Sequence, residues 1–248
     1  MQADRWAPGY REWPAPAGTR GALACLWVRV VPPGPHGVFS DVLPDGCTDL
    51  IWQQGLGAFV AGPDTGPAPA LTPAGTVLAG VRFRPGAGGA ALGVPLAELR
   101  DQRVDLADVV PWLSRELPAD LTPGHAMDRI TRVCGQLVSE CPPDPVVVAA
   151  TAALATGEVS VASLGQALEV SERHLRRRFD AAVGYGPKTL QRVLRFRQVL
   201  AALSARPTSD LATLAYQAGY ADQAHLTRET TRLAGLPPAA LARKLTSG

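Results

Sequence analysis

Basic and amide side chains cluster at two places in the C-terminal part of the chain, at spacings that suit the reading of DNA bases. The first cluster contains Arg173, Arg176 and Arg177, and the second contains Gln223, Ala224, Thr227 and Arg228. Residues three and four apart lie on the same face of a helix. Arginine can pair with guanine O6 and N7, and glutamine with adenine N6 and N7. Each cluster therefore predicts a helix that presents these side chains to the DNA major groove.

The residues around each cluster predict a helix-turn-helix unit. Residues 161–179 and 211–228 each contain a short apolar segment, a turn and a second helix with a polar outer face. Ser171 and Asp222 are the expected N-caps of the second helices, because their side-chain oxygens can accept a hydrogen bond from a first-turn N–H. Gly219 suits a left-handed turn conformation. The side chains expected to face the core are Leu175, Phe179, Leu226 and Leu233.

A long helix is predicted between the two units, over residues 187–205. Pro187 suits the first turn of this helix, where its missing N–H has no partner to lose. The apolar side of the helix consists of Leu190, Val193, Leu194, Val199, Leu200 and Leu203. At a rise of about 1.5 Å per residue, the helix would be roughly 28 Å long. A spacer of this length could hold two recognition helices about one DNA turn, ~34 Å, apart.

The distribution of charge divides the chain into two parts. Residues 1–145 hold 11 Lys and Arg against 15 Asp and Glu, a net charge of −4, whereas residues 146–248 hold 13 against 7, a net charge of +6. The second part suits a polyanion and the first does not. A proline-rich segment at residues 141–145 marks the boundary. We therefore predict a sensing domain over 1–141 and a DNA-binding domain over 146–248.

The N-terminal part has the sequence rhythm of a β-sandwich or small barrel. Its short apolar runs, separated by Gly and Pro turns, cover residues 22–31, 49–53, 58–61 and 76–83. Helical patterns follow at residues 96–100, 106–117 and 126–140. The C-terminal part contains short helices throughout. The predicted fold class is α+β with two domains, a β-barrel with trailing helices and an all-α domain.

The C-terminal motifs resemble the DNA-binding domain of AraC/XylS-type transcriptional regulators. The resemblance covers about residues 145–245, including the segments 171–179, 184–188 and 219–228 and the following Gly235-Leu-Pro-Pro. It implies that the two clusters described above contact bases and that the partner is a double-stranded promoter or operator. Two residues depart from the family pattern: Thr230 stands where a core Phe is usual, and Glu169 where a turn Gly is usual. Because Ala224 offers no hydrogen bond to a base, we expect the second unit to read DNA less stringently.

The N-terminal part resembles the cupin-like sensor domains of actinobacterial members of the same family. The residues that carry this resemblance are 43–52 and 80–86. The resemblance implies an effector, a small molecule of unknown identity, inside the barrel. It also implies a homodimer formed through the trailing helices between residues 96 and 140. From the sequence, binding to a promoter as a monomer or as a dimer stays open.

Aromatic residues indicate where the effector would bind. All five tryptophans lie in the first half of the chain. We expect a mostly apolar pocket lined by members of the set Trp27, Trp52, Phe59 and Phe83, with Arg82 or Arg84 as a polar anchor. Arg82 and Arg84 alternate along a predicted strand and should share one side of it. Facing the lumen they would imply an anionic or polar ligand, and facing outward they would be ordinary edge charges.

Catalytic and metal sites are not expected. Asp45 and Asp49 flank Cys47, but Pro44-Asp-Gly is typical of a turn in which Asp45 bonds its own backbone. His36 and His125 are too few and too far apart to form the histidine cluster of a metal-dependent cupin. We therefore expect no metal, no cofactor and no enzymatic activity. No apolar run approaches the ~20 residues of a membrane span and no signal peptide is evident, which favours a cytoplasmic protein.

Two alternatives belong to other functional classes. One is an enzymatic barrel fused to a DNA-binding domain, which a catalytic cluster in the pocket would favour. The other is a redox sensor that uses Cys47 or Cys25, which a reactive thiol would favour. The leading hypothesis is a ligand-responsive transcription factor.

Overall fold

The computed structural model describes residues 3–157, 159–207 and 210–246, which form an α+β protein with two domains. The strands of the N-terminal domain are β1 Gly9–Pro14, β2 Leu23–Val30, β3 Val38–Val42, β4 Thr48–Gln53, β5 Gly57–Ala61, β6 Ala68–Thr72, β7 Val77–Phe83 and β8 Arg103–Asp105. Six of them form an antiparallel sheet in the order β1-β2-β7-β4-β5-β8, while β3 and β6 form a separate ribbon. The four predicted apolar runs correspond to β2, β4, β5 and β7.

The helices of the N-terminal domain follow β7. They are α1 Gly88–Leu92, α2 Leu106–Val109, α3 Pro111–Glu116 and α4 Pro123–Glu140, with short 3-10 turns at Ala3–Trp6, Ala17–Thr19 and Leu96–Glu98. The predicted helix 96–100 is only a 3-10 turn. The predicted helix 106–117 is divided, because Pro111 has no backbone N–H and begins a new helix at its first position. The predicted helix 126–140 is confirmed as α4, and its apolar stripe is buried.

The two faces of the six-stranded sheet have different roles. One face packs against α4 in a large apolar core that includes Leu50, Val60 and Val81. The other face carries a smaller apolar cluster with Trp27, Ile51 and Leu78, and it borders a cavity whose far side is the β3–β6 ribbon. The strands of the described residues thus form two separate sheets with a cavity between them, within the α+β class that the sequence predicted.

The C-terminal domain consists of helices. They are α5 Pro145–Thr156, α6 Val161–Ala167, α7 Glu172–Ala182, α8 Pro187–Ala205, α9 Leu211–Gln217, α10 Gln223–Ala234 and α11 Pro238–Thr246. The pairs α6–α7 and α9–α10 are the two predicted helix-turn-helix units, and α8 is the predicted spacer. Their common core buries the four side chains expected to face inward, Leu175, Phe179, Leu226 and Leu233. Phe196 of α8 is also fully buried in it.

The two domains contact each other directly beyond the 141–144 connection between α4 and α5. A Cβ added to Gly89 of α1 would lie 2.8 Å from the carbonyl oxygen of Ala181 in α7. A Cβ on Gly184 would lie 3.0 Å from the carbonyl oxygen of Leu96. Glycine is required at both positions because the backbones of the two domains approach too closely for a side chain.

Candidate functional site

The outer face of α7 carries the first predicted cluster. Ser171 caps the helix as predicted, its Oγ accepting a hydrogen bond from the backbone N–H of His174 at 3.3 Å. Leu175 and Phe179 anchor the opposite face in the core. Arg173, Arg176 and Arg177 are all exposed. The Arg176 side chain is 78% exposed and its Nε lies 3.8 Å from Asp180, so its guanidinium is available to a ligand.

A surface groove runs between α7 and the beginning of α8. It has a volume of about 670 Å³ and is lined by Arg173, Arg176 and Lys188, among others. Three cations around one groove attract phosphate oxygens, and such contacts position a protein on DNA without reading its sequence. Lys188 was not among the predicted base-reading residues. From its place at the first turn of the spacer helix, the sequence predicts for Lys188 at most a contact with phosphate, and its position in this groove is compatible with that prediction.

The outer face of α10 carries the second predicted cluster. Asp222 caps this helix as predicted, accepting a hydrogen bond from the backbone N–H of His225 at 2.6 Å. Gln223, Ala224 and Arg228 are exposed. Thr227 is half-buried, and its hydroxyl donates to the carbonyl oxygen of Gln223 at 2.9 Å. The polar face of α10 therefore presents fewer free donors than that of α7.

Arg178 has a structural partner that the sequence did not indicate. The sequence favours contact of this side chain with phosphate or with solvent, but its Nη1 donates to both carboxylate oxygens of Asp144, at 2.9 and 2.8 Å. Asp144 also caps α5 by accepting from the backbone N–H of Val146. Arg178 thus ties the first recognition helix to the segment that joins the two domains, and the expectation of a phosphate or solvent contact is corrected.

The N-terminal domain contains a cavity of about 670 Å³ between the six-stranded sheet and the β3–β6 ribbon. Trp27, Phe59 and Arg82 of the predicted pocket residues line it, together with Tyr10. Trp27 of β2 is in register with Gly80 of β7, and a Cβ on that glycine would lie 2.3 Å from the indole ring. Gly80 therefore makes room for the indole to lie across the neighbouring strand.

Three predicted pocket residues lie elsewhere. Trp52 and Phe83 are fully buried in the core beneath the other face of the sheet. Each of them directly follows a residue that lines the cavity, Ile51 or Arg82, and successive side chains of a strand point to opposite faces. The Trp52 indole N–H donates to the carbonyl oxygen of Pro118 at 2.9 Å. Arg84 follows the last residue of β7, and its Nε donates to the carbonyl oxygen of Arg20 at 2.7 Å. The expectation that Arg82 and Arg84 share one side of a strand is therefore corrected.

The charged groups of the cavity are largely paired with each other. Arg82 donates to both carboxylate oxygens of Asp49, at 3.0 and 3.2 Å, and its Nη1 lies 3.5 Å from Asp45. The Trp27 indole N–H also donates to Asp49, at 3.2 Å. Burial raises the pKa of Asp49, while Arg82 acts to lower it. A second pair joins Arg103 to Asp64, at 2.9 and 2.7 Å. The Arg82 guanidinium is thus already neutralised within the protein.

The two candidate redox thiols are buried. Asp45 accepts a hydrogen bond from the backbone N–H of Cys47 at 2.8 Å, which confirms the turn predicted there. Burial, assisted by the nearby carboxylates of Asp45 and Asp49, raises the pKa of Cys47. Burial also raises the pKa of Cys25, to about 11. Because the thiolate is the reactive form, this environment argues against a redox sensor based on either cysteine.

Residues 3–157, 159–207 and 210–246 contain no group of three or more His, Cys, Asp or Glu side chains that could hold a metal ion. Within them, no helix combines the length and the apolar composition that crossing a membrane requires.

Comparison with known proteins identifies two regions of the chain. Residues 164–244 match the family described as "Helix-turn-helix domain", and residues 13–105 match a "Domain of unknown function (DUF6597)". No curated protein matches the chain. Similar solved structures include an apo variant of ToxT from Vibrio cholerae strain SCE256, with 10% identity, a TM-score of 0.46 and coverage of 94% of this chain and 100% of that one. Wild-type ToxT from the same strain, bound to an unsaturated fatty acid, has 12% identity, a TM-score of 0.44 and coverage of 92% and 97%.

The two tandem units and the matched family together define the class of protein. A spacer helix joins two capped recognition helices, each with a polar outer face, and this arrangement belongs to sequence-specific DNA-binding proteins. The chain carries an AraC-type helix-turn-helix domain at its C-terminal end and a separate β-sheet domain before it, which is the architecture of a DNA-binding transcriptional regulator.

Proposed function

We propose that the cavity of the N-terminal domain holds a small-molecule effector that controls DNA binding. The observation that carries this proposal is that β3 and the residue after it adjoin both the cavity and the DNA-binding domain. Asp41 and Leu43 line the cavity. Asp41 also pairs with Lys244 of α11, and Leu43 packs against the core of the C-terminal helices. A molecule that binds better to one arrangement of this strand than to another would therefore change how the two domains dock.

Capture of small molecules from a cell extract tests the effector site. Protein equilibrated with extract and repurified would be analysed by mass spectrometry as the unchanged chain, as Ala70→Trp, which fills the cavity from β6, and as Ala149→Trp, an exposed control on α5. We expect a compound retained by the unchanged chain and by Ala149→Trp but lost from Ala70→Trp. Adding this compound should change DNA affinity. Retention by all three proteins, or a compound without effect on DNA affinity, would contradict the proposal.

We further propose that α7 and α10 read bases through the two clusters on their outer faces. In α7 the reading residues are Arg173, Arg176 and Arg177, and in α10 they are Gln223, Ala224, Thr227 and Arg228. Support comes from their position in the first two turns after the caps Ser171 and Asp222, since the N-terminal part of a recognition helix meets base edges. Ala224 would contribute apolar contact only.

We propose that a homodimer forms through the helical region between residues 96 and 140, where the side chain of Trp112 is 50% exposed. Sedimentation velocity with and without Trp112→Ser tests this, and an unchanged monomer in both samples would refute it.

We propose a purely regulatory role, since Asp49 and Asp64 are occupied by ion pairs with arginine. We propose that the protein acts in the cytoplasm, which is supported by its DNA-binding domain.

A further inference from the structure

The cavity is lined by more acidic than basic side chains. Five aspartates and three arginines border it. Two of the arginines, Arg82 and Arg103, are held by bidentate pairs with Asp49 and Asp64. The third, Arg29, lies over the ring of Tyr10, with 5.7 Å between its guanidinium carbon and the ring centroid. Counting the ammonium of Lys244 at Asp41, the groups around the cavity still carry an excess of negative charge.

Two of these carboxylates retain capacity to accept hydrogen bonds. Asp45 uses Oδ1 for the backbone N–H of Cys47, and its Oδ2 lies 3.5 Å from the nearest nitrogen of Arg82. Asp105 uses Oδ1 for the backbone N–H of Ala107 at the start of α2. An ionised carboxylate offers about four acceptor positions. Both groups therefore have lone pairs available to a ligand in the cavity.

Aromatic rings line the same cavity as these two carboxylates. Phe59 of β5 is directly opposite Asp105 of β8 in the sheet register. Trp27 and Tyr10 line the cavity with their ring centroids 5.8 Å apart. An ammonium group is attracted by a carboxylate and by the face of an aromatic ring, whereas a ligand carboxylate is repelled by both. A carboxylate ligand near Arg82 would also compete with Asp49 and Asp45, which already balance the charge of the guanidinium.

We propose that the cavity selects an organic cation, namely a protonated amine with an apolar body, whose ammonium is bound by Asp45 or Asp105 and whose body packs against Trp27 and Phe59. This inference rests on the proposed function of the cavity as the effector site. It specifies that the effector carries a positive charge.

Three probes with the same carbon skeleton test the charge class. Calorimetric titration of the full chain with phenylbutylamine, phenylbutanol and phenylbutyrate, at one fixed low salt concentration, varies only the head group. We expect the amine to bind in the millimolar range or tighter and to bind at least about tenfold more tightly than the carboxylate, a ratio equal to ~1.4 kcal/mol. The alcohol should fall between them. An amine that shows no binding, or that binds no better than the carboxylate, would overturn the proposal.

Charge-neutralising variants assign the preference to the two carboxylates. Asn at either position keeps an acceptor oxygen for the backbone N–H that the aspartate now bonds. In Asp45→Asn/Asp105→Asn the advantage of the amine should shrink to less than about threefold, and Asp45→Asn alone should move in the same direction. The control Asp128→Asn, on the exposed side of α4, should leave it unchanged. Persistence of the advantage in the double variant would overturn the assignment.

The same titrations separate this inference from the proposed function. If phenylbutyrate binds more tightly and Ala70→Trp abolishes its binding, the cationic class is wrong while the effector cavity stands. If every probe that binds does so equally well to Ala70→Trp, the binding lies outside the cavity and the proposed effector site itself fails.

Discussion

The two helix-turn-helix units share one architecture but differ in how their recognition helices are equipped. Counted from the caps Ser171 and Asp222, equivalent positions hold Arg173 and Ala224, Arg176 and Thr227, and Arg177 and Arg228. The first unit thus presents three arginines where the second presents one. From this shared fold with unequal outer faces we propose an unequal division of roles, in which both units position the protein on DNA and the first supplies most of the base-specific contacts.

An ion pair anchors each recognition helix, but the helix contributes the basic partner in the first unit and the acidic partner in the second. Arg178 of α7 and Glu229 of α10 occupy equivalent positions. Each forms an ion pair, with two hydrogen bonds, to a residue outside its own helix-turn-helix unit. Arg178 binds Asp144, next to the domain connection, whereas Glu229 binds Arg192 of the spacer helix. The first unit is therefore tied to the segment that leads to the N-terminal domain, and the second is tied to the spacer.

Loss of single arginines gives the largest effect that separates the units. Arg176→Ala or Arg177→Ala should cost about 1–3 kcal/mol of binding on the specific site, if each arginine makes a bidentate contact with guanine. Arg228→Ala should cost less, and Lys188→Ala should weaken specific and scrambled duplexes alike, since a contact with phosphate would carry no sequence information. Titrations at one salt concentration give these values. A larger loss for Arg228→Ala than for the other two together would reverse our ranking of the units.

The buried position eight residues after each cap gives a smaller effect, on stability. Phe179 fills this position in the first unit, whereas Thr230 fills it in the second, fully buried and with no hydrogen-bond partner for its hydroxyl. Thr230→Val removes the unsatisfied hydroxyl at nearly constant shape and should raise the free energy of unfolding by about 1–2 kcal/mol. Chemical denaturation measures it, with the exposed Thr231→Val as control. A variant no more stable than this control would show that the hydroxyl carries no penalty.

Local sequence signals were sufficient to predict the C-terminal domain. Caps, turn residues and 3.6-residue periodicity act within a few positions, so Ser171, Asp222 and the spacer helix were found directly. The departure at Glu169 also has a local explanation. Glu169 adopts a left-handed backbone conformation with a φ of 54°. In the second unit the left-handed residue of the turn is Gly219, with a φ of 73°. Glutamate pays a steric cost there that glycine does not.

The N-terminal domain is only partly predictable from the sequence, because its candidate site depends on long-range strand pairing. Strands β3 and β6 form an exposed ribbon with little burial, and so lack the apolar alternation that reveals a strand. Trp52 and Phe83 were assigned to the pocket because the sequence does not indicate which face of the sheet α4 covers. The partner of Arg178 is 34 residues away in sequence, and no local pattern connects the two.

Selection of bound duplexes from a random library tests the central claim most directly, that this chain reads DNA sequence through two unequal units on one rigid spacer. We expect enriched duplexes to contain two defined blocks about one helical turn, roughly 10 base pairs, apart. One block should be more strongly constrained, and Arg176→Ala should relax that block while Arg228→Ala relaxes the other. No enrichment, a single block, or two blocks that Arg176→Ala relaxes equally would contradict the claim.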